Sequence, residues 1–206
     1  MSTALSLYLL DTERTRGWVG SGDKGFLGAV RAEYAVELAE EDAWFRTRIA
    51  AGAPTASEAL EAVVNGGPFS VEAGHAFQYG YAYRRICAMS GTFLDNDCFS
   101  PYRGDWLSVV DEGLRAVNVT AVSVADFQHG GLPAGLPYTD IPGCGEWSAE
   151  DCERALEQFE EGERLGLVPG LASAPDREVA EAVAQVIGWL RRVPRGSGYG
   201  IIGFRS

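Results

Sequence analysis

The chain has 206 residues and a formal net charge of −12, with 46% hydrophobic and 22% charged residues. This composition is typical of a globular domain that buries its core without disulfides or metal ions, and it excludes a chain that is disordered throughout. The excess of acidic residues repels phosphate backbones and therefore disfavours nucleic-acid binding.

The first residues predict neither an export signal nor a membrane anchor. Residues 4–10 form a short apolar run without preceding basic residues, and a bilayer span needs about 20 residues. We therefore expect a cytoplasmic protein that does not enter a membrane. Of the 17 basic residues only Lys24 is a lysine, a bias typical of a GC-rich bacterial genome. No C-x-x-C pair occurs among the cysteines, so we expect reduced thiols, no bound metal and no cofactor; they are Cys87, Cys98, Cys144 and Cys152.

The first half of the chain predicts a strand followed by helices. Residues 4–10 favour a strand, and a helix face follows because four apolar side chains recur every four residues: Phe26, Val30, Tyr34 and Leu38. The G-x-G-x-x-G pattern at 20–25 follows helical residues instead of a strand, so it predicts a helix cap and not a dinucleotide site. Thr55 and Glu58 form a capping box that opens the next helix, and an aromatic helix is predicted from about 76 to 90.

The second half alternates loops with amphipathic helices. We expect helices from Trp106 to Val117, from the Ser148–Asp151 capping box to about 162, and from Val179 to Leu190. Between and around them we expect a loop at 92–104, a strand at 119–123, an ordered loop at 130–147, a linker at 162–175 and a final strand at 199–204.

Both ends of the chain are therefore predicted strands with helices between them. If these strands pair, they form a small sheet on which the helices pack. The fold class predicted is α+β: a helix-rich single domain over residues 1–206, with 92–147 as a loop-rich insertion.

The densest aromatic stretch, residues 75–85, places tyrosines beside arginines. On a helix, Tyr79 and Tyr83 share a face. Hydroxyls and guanidinium groups together bind anions, so residues 75–106 predict a pocket of a small-molecule enzyme or sensor. In this hypothesis Tyr83 is the proton donor, Arg84 the anion clamp and Asp105 the base, and the whole candidate set is Tyr79, Tyr83, Arg84, Arg103, Asp105 and Trp106. The alternative is an amphipathic helix whose tyrosines lie at the core margin and reach water.

Acidic residues cluster at 33–42 and at 146–163. A carboxylate-rich helix attracts a basic protein and speeds the encounter. The first functional hypothesis is therefore an acidic protein-binding module that resembles immunity proteins and inhibits a basic partner through Glu157, Glu160 and Glu161. The alternatives are that the charge serves only solubility, or that the chain is a homo-oligomer with a structural role. A non-enzymatic function is favoured, and no catalytic residue is assigned.

Three segments are similar in hydrophobic pattern to one known family: ALSLYLLDTERTRGWVGSG, SEALEAVVNGGPF and VAQVIGWLRRVPRGSGYGIIGF. They resemble the YfbM-like proteins, small bacterial proteins of unknown function. The resemblance implies a compact α+β domain and supplies no catalytic residues. Residues 92–147 have no counterpart in it.

Overall fold

The structure is a computed structural model that describes residues 3–166 and 177–206. Its sheet is antiparallel, with four strands in the order β2–β1–β4–β3 within these ranges. The strands are β1 (Leu5–Asp11), β2 (Thr92–Leu94), β3 (Gly143–Trp147) and β4 (Tyr199–Arg205). The two end strands pair along their whole length, from Leu5 opposite Arg205 to Asp11 opposite Tyr199. The predicted α+β class and the sheet joining the chain ends are therefore confirmed.

Helices pack on both faces of this sheet. They are α1 (Thr12–Arg16), α2 (Lys24–Glu33), α3 (Ala35–Trp44), α4 (Arg46–Ala50), α5 (Ala56–Asn65), α6 (Ala76–Ser90), α7 (Trp106–Ala116), α8 (Asp126–His129), α9 (Ala149–Arg164) and α10 (Arg177–Arg192). Because side chains alternate along a strand, Leu5 and Leu7 of β1 face a core built with α7, α9 and α10. Tyr8 and Leu10 face the other core, built with α2, α5 and α6. We call these two sides the α10 face and the α6 face of the sheet.

The predicted helix starts are confirmed by their caps. Asp23 accepts a hydrogen bond from the Phe26 amide at 2.9 Å, so the glycine-rich turn at 20–25 does open a helix. Both capping boxes, at Thr55 and at Ser148, have their reciprocal hydrogen bonds. The continuous helix predicted through Tyr34 is wrong, because Tyr34 leaves helical geometry with ψ at 25° and separates α2 from α3.

Two predicted loops contain the outer strands of the sheet. The segment at 92–104 includes β2, and the segment at 130–147 includes β3. Glycines in GCGEW lower strand propensity, but here they make room for α8. A Cβ built on Gly145 would lie 2.0 Å from the Asp126 carbonyl oxygen.

The strand predicted at 119–123 is wrong. The amides of Thr120 and Ala121 donate to the Gln158 side-chain oxygen at 2.8 and 2.9 Å, so they are not available to a neighbouring strand. Of the linker predicted at 162–175, the first residues complete α9, and the part at 167–175 lies outside the described residues. Among the described helices, none has the length and apolarity to cross a membrane.

Candidate functional site

A cleft of about 350 Å³ lies on the α6 face of the sheet, beside β3. Strand alternation points Cys144 and Glu146 of β3 to this face. The loop after α8 curves around the edge of β3, where the Gly131 amide donates to the Cys144 carbonyl at 2.8 Å. The cleft, called the Glu146 cleft below, is lined by Arg16, Tyr83, Gly130, Gly131, Leu132, Pro133, Ala134, Cys144, Glu146 and Ile202.

An ion pair lines this cleft. Arg16 is the last residue of α1, and its Nη2 and Nε donate to the two Glu146 oxygens at 2.6 and 3.2 Å. The Glu146 side chain is only 19% exposed. Burial raises the pKa of Glu146 above its ordinary value, although Arg16 acts in the opposite direction. A carboxyl group with a raised pKa beside a cavity is suited to proton exchange with a ligand.

The Tyr83 hydroxyl, from α6, is buried without a hydrogen bond of good geometry among the described residues, and the thiol of Cys87, a weak partner, interacts with it. Its residue is 1% exposed, and its ring packs edge-on against Phe204 at 5.9 Å. Burial raises the pKa of Tyr83, so the hydroxyl is neutral and available as a donor. Leaving such a group unpaired costs about 1–3 kcal/mol, which is why buried hydroxyls are nearly always bonded.

The thiols beside Tyr83 are poor nucleophiles. Burial raises the pKa of Cys87 and of Cys144, and it raises the pKa of the more distant Cys152 to about 12. Because the thiolate is the reactive form, these side chains are inert at neutral pH. All four cysteines are free, and no group of three metal-ligating side chains assembles within residues 3–166 and 177–206.

The tyrosine and arginine residues predicted to form one pocket are divided. Tyr83 lines the Glu146 cleft, but Tyr79 is buried one turn away, where its hydroxyl accepts the Ser70 amide at 2.7 Å. Arg84 stacks over the Tyr81 ring at 6.0 Å and is not part of the cleft lining.

The other members of that set lie on the α10 face. Arg103 and Trp106 line an open groove of about 640 Å³, while Asp105 is exposed just before α7 and does not line it. The Trp106 indole donates to the Cys98 carbonyl at 2.8 Å. The remaining residues of the groove are Asp97, Cys98, Pro101, Tyr102, Glu178 and Glu181. The sheet therefore separates Tyr83 from Arg103 and Trp106.

The predicted partner-binding carboxylates on α9 are mostly paired within the protein. Glu160 accepts from Arg195 at 2.8 Å, and Glu161 forms an ion pair with Arg164. Glu157 is exposed. Pairing lowers the local negative charge that this surface offers to a basic protein.

The sequence interpretation did not single out Arg16, Cys144 or Glu146 as functional. Arg16 and Glu146 are separated by 130 positions, so no local spacing connects them. The available signal was the loop predicted at 130–147, a type of segment that often carries binding residues. Its Trp147 is 1% exposed and belongs to the core.

One known protein family matches the whole chain. A domain of unknown function, DUF7691, covers residues 1–206. The chain belongs to the DUF7691 family. No curated protein and no solved structure is significantly similar to it. The DUF7691 match includes the Glu146 cleft, the groove on the α10 face and the segment 92–147, and the resemblance to YfbM-like proteins stays a prediction.

Proposed function

We propose that this DUF7691 protein binds a small polar molecule in the Glu146 cleft. The observation that carries the proposal is the buried Tyr83 hydroxyl, which lacks a hydrogen bond of good geometry in a residue that lines a cavity of ligand size. An unpaired hydroxyl beside a cavity lowers the stability of the fold. It can stabilise a bound ligand, because it provides a directed hydrogen bond.

The rest of the cleft supports this proposal. The Arg16–Glu146 pair supplies charge at the wall, and Leu132, Pro133 and Ile202 supply apolar contact. Ligand sites are usually lined by apolar side chains with a small number of polar groups among them. The proposal keeps Tyr83 as a site residue and replaces Arg84 and Asp105 by Arg16 and Glu146.

The test is a fragment screen by protein-observed NMR, with the amides of the 22.1 kDa chain assigned. We expect hits that shift the amides of Gly131, Cys144 and Glu146 and that weaken in Tyr83→Phe. Tyr79→Phe is the matched control, because its hydroxyl is already paired with a backbone amide. Hits that map only to other surfaces, or that bind Tyr83→Phe equally well, would contradict a ligand site in this cleft.

A second candidate function is binding to a basic protein, and the exposed face of α3 favours it. Trp44 is 83% exposed and Val36 is 67% exposed, which is unusual for large apolar side chains. No ion pair of the described residues involves the neighbouring carboxylates, Glu33, Glu37 and Glu40. An exposed tryptophan on a helix that carries unpaired carboxylates suits a lysine- or arginine-rich partner.

This candidate is tested by affinity capture from the native lysate at low and high salt with two charge-reversed variants. The first carries Glu33→Lys at the end of α2 with Glu37→Lys and Glu40→Lys on α3, and is called the α3 variant. The second carries Glu157→Lys, Glu160→Lys and Glu161→Lys on α9. A basic protein retained by the wild type and by the α9 variant, but lost with the α3 variant, is the expected result. Equal retention by all three chains would exclude α3 as the binding surface.

A further inference from the structure

The charges around the Glu146 cleft determine which ligands it prefers. We infer that the cleft binds a small organic amine in its cationic form, with the ammonium group on Glu146 and the carbon body on the apolar wall. This inference rests on the proposed ligand-binding function and specifies the chemical class of the ligand.

Arg16, the only cation among the described residues that line the cleft, already donates three of its five N–H groups to carboxylates. Its Nη2 and Nε donate to Glu146, and its Nη1 donates to Glu13 at 2.6 Å. A carboxylate or phosphate ligand that reached the other two N–H groups would meet the negative charge of both carboxylates. The same arginine is therefore a poor anion clamp, although it lines the cavity.

The glycine-rich loop does not supply an anion site either. Backbone N–H groups that converge in such a loop bind anions only when they are free to point at the ligand. The Gly130 amide donates to the Asp126 carbonyl at 2.8 Å, and the Gly131 amide donates to the Cys144 carbonyl at 2.8 Å. Both glycine amides are used inside the fold, so neither is free to point at an anion.

Glu146, in contrast, keeps capacity to accept a hydrogen bond. A carboxylate has about four acceptor sites on its two oxygens. Arg16 occupies two of them, and the Thr12 hydroxyl also bonds to this group. One site therefore remains, and the neutral Tyr83 hydroxyl is close enough to interact electrostatically with the same carboxylate. An ammonium group has three donors and no acceptor, so it can donate to this remaining site and to the oxygen of the Tyr83 hydroxyl.

Three probes with the same ring and different charge test this inference: benzylamine, benzyl alcohol and benzoate. Each is titrated into the wild-type chain and followed by the amide shifts of Cys144 and Glu146. We expect benzylamine to bind about tenfold more tightly than the other two, since a hydrogen bond to a charged group exceeds a neutral one by about that factor. Glu146→Gln should remove the preference, whereas Glu150→Gln, an exposed carboxylate on α9 that pairs with Arg154, should retain it.

The outcomes separate this inference from the proposed function. Benzoate or benzyl alcohol binding as tightly as benzylamine would overturn the amine preference and leave a ligand site in the cleft. Fragments that bind in the cleft while none of the three probes binds would overturn the amine inference in the same way. If no fragment binds in the cleft at all, the proposed function itself fails. The wild-type comparison needs no variant, so poor folding of Glu146→Gln would not prevent a decision.

Discussion

At the scale of single residues, the unpaired Tyr83 hydroxyl leads to a prediction about stability. We expect Tyr83→Phe to raise the free energy of unfolding by about 1 kcal/mol, because the substitution removes a buried polar group that lacks a hydrogen bond of good geometry. Tyr79→Phe should lower it by about 1 kcal/mol, since that hydroxyl accepts the Ser70 amide. Urea unfolding of both variants measures the difference. Equal destabilisation by the two substitutions would show that Tyr83 is already satisfied in the free protein.

The Glu146 carboxyl group predicts how amine binding depends on pH. Burial raises its pKa, so on acidification it takes up a proton at a higher pH than an ordinary glutamate. Benzylamine stays cationic throughout this range, as alkylammonium groups such as that of lysine titrate near pH 10. Its affinity should therefore be constant at neutral pH and fall as the pH decreases through the raised pKa of Glu146. NMR titrations between about pH 7 and pH 4 measure this, and Glu146→Gln should give weak binding without that dependence. An affinity that rises on acidification would assign the ligand contact to another group.

The site residues differ in how far the sequence predicts them. Tyr83 was predicted because the aromatic helix is local and its i, i+4 spacing is visible in the sequence. Arg16 and Glu146 meet only because β4 lies between β1 and β3, which brings α1 and the end of β3 to the same face. Such a contact depends on strand order, and strand order is not encoded in any short motif.

At the scale of secondary-structure elements, helices with caps were predicted well and the outer strands were not. The capping boxes at Thr55 and Ser148 use local hydrogen bonds, so their sequence pattern is sufficient. The strand β3 depends instead on its neighbours, because its glycines are required by the close approach of α8. The segment at 119–123 shows the reverse case, in which β-branched residues pack in a core without joining a sheet.

Gly145 gives a prediction for β3 and α8. Gly145→Ala should lower the free energy of unfolding by about 1–3 kcal/mol, because its methyl group would overlap the Asp126 carbonyl and push α8 from the strand. Gly188→Ala is the control: nothing lies within 4 Å of the added Cβ, and alanine favours the α10 helix by about 1 kcal/mol. Thermal unfolding of the two variants should shift in opposite directions. A Gly145→Ala protein as stable as the wild type would mean that α8 does not need this close contact.

At the scale of the whole molecule, the sheet joins the two chain ends to the middle segment, which the sequence analysis treated as separate parts. The segment 92–147, expected as a loop-rich insertion, supplies both outer strands and α7. The net charge of −12 led to the prediction of a basic partner. In the structure this negative charge is unevenly available, because carboxylates of α9 are paired with arginines, whereas Glu37 and Glu40 of α3 form no ion pair with any described residue. Total charge is fixed by composition, whereas the free surface charge depends on which arginines the fold brings close.

The shared sheet predicts that the two cores unfold together. Leu7 and Leu10 are fully buried in β1 but face opposite sides of the sheet. If β1 leaves the sheet, both cores lose packing at the same time. Leu7→Ala and Leu10→Ala should each lower the free energy of unfolding by about 2–5 kcal/mol, while Leu165→Ala, at a side chain 61% exposed, should have little effect.

For either core variant, the indole N–H NMR signals of Trp147 and Trp189 should change at the same urea concentration as the amide signals of α5 and α6. The two tryptophans belong to the core on the α10 face, and these two helices to the core on the α6 face, so the two signals monitor both sides of the sheet. A single transition follows if β1 and β4 hold both cores in one cooperative unit. If Leu7→Ala instead shifts the tryptophan transition and leaves the α6 amides unchanged, the two cores unfold as independent units.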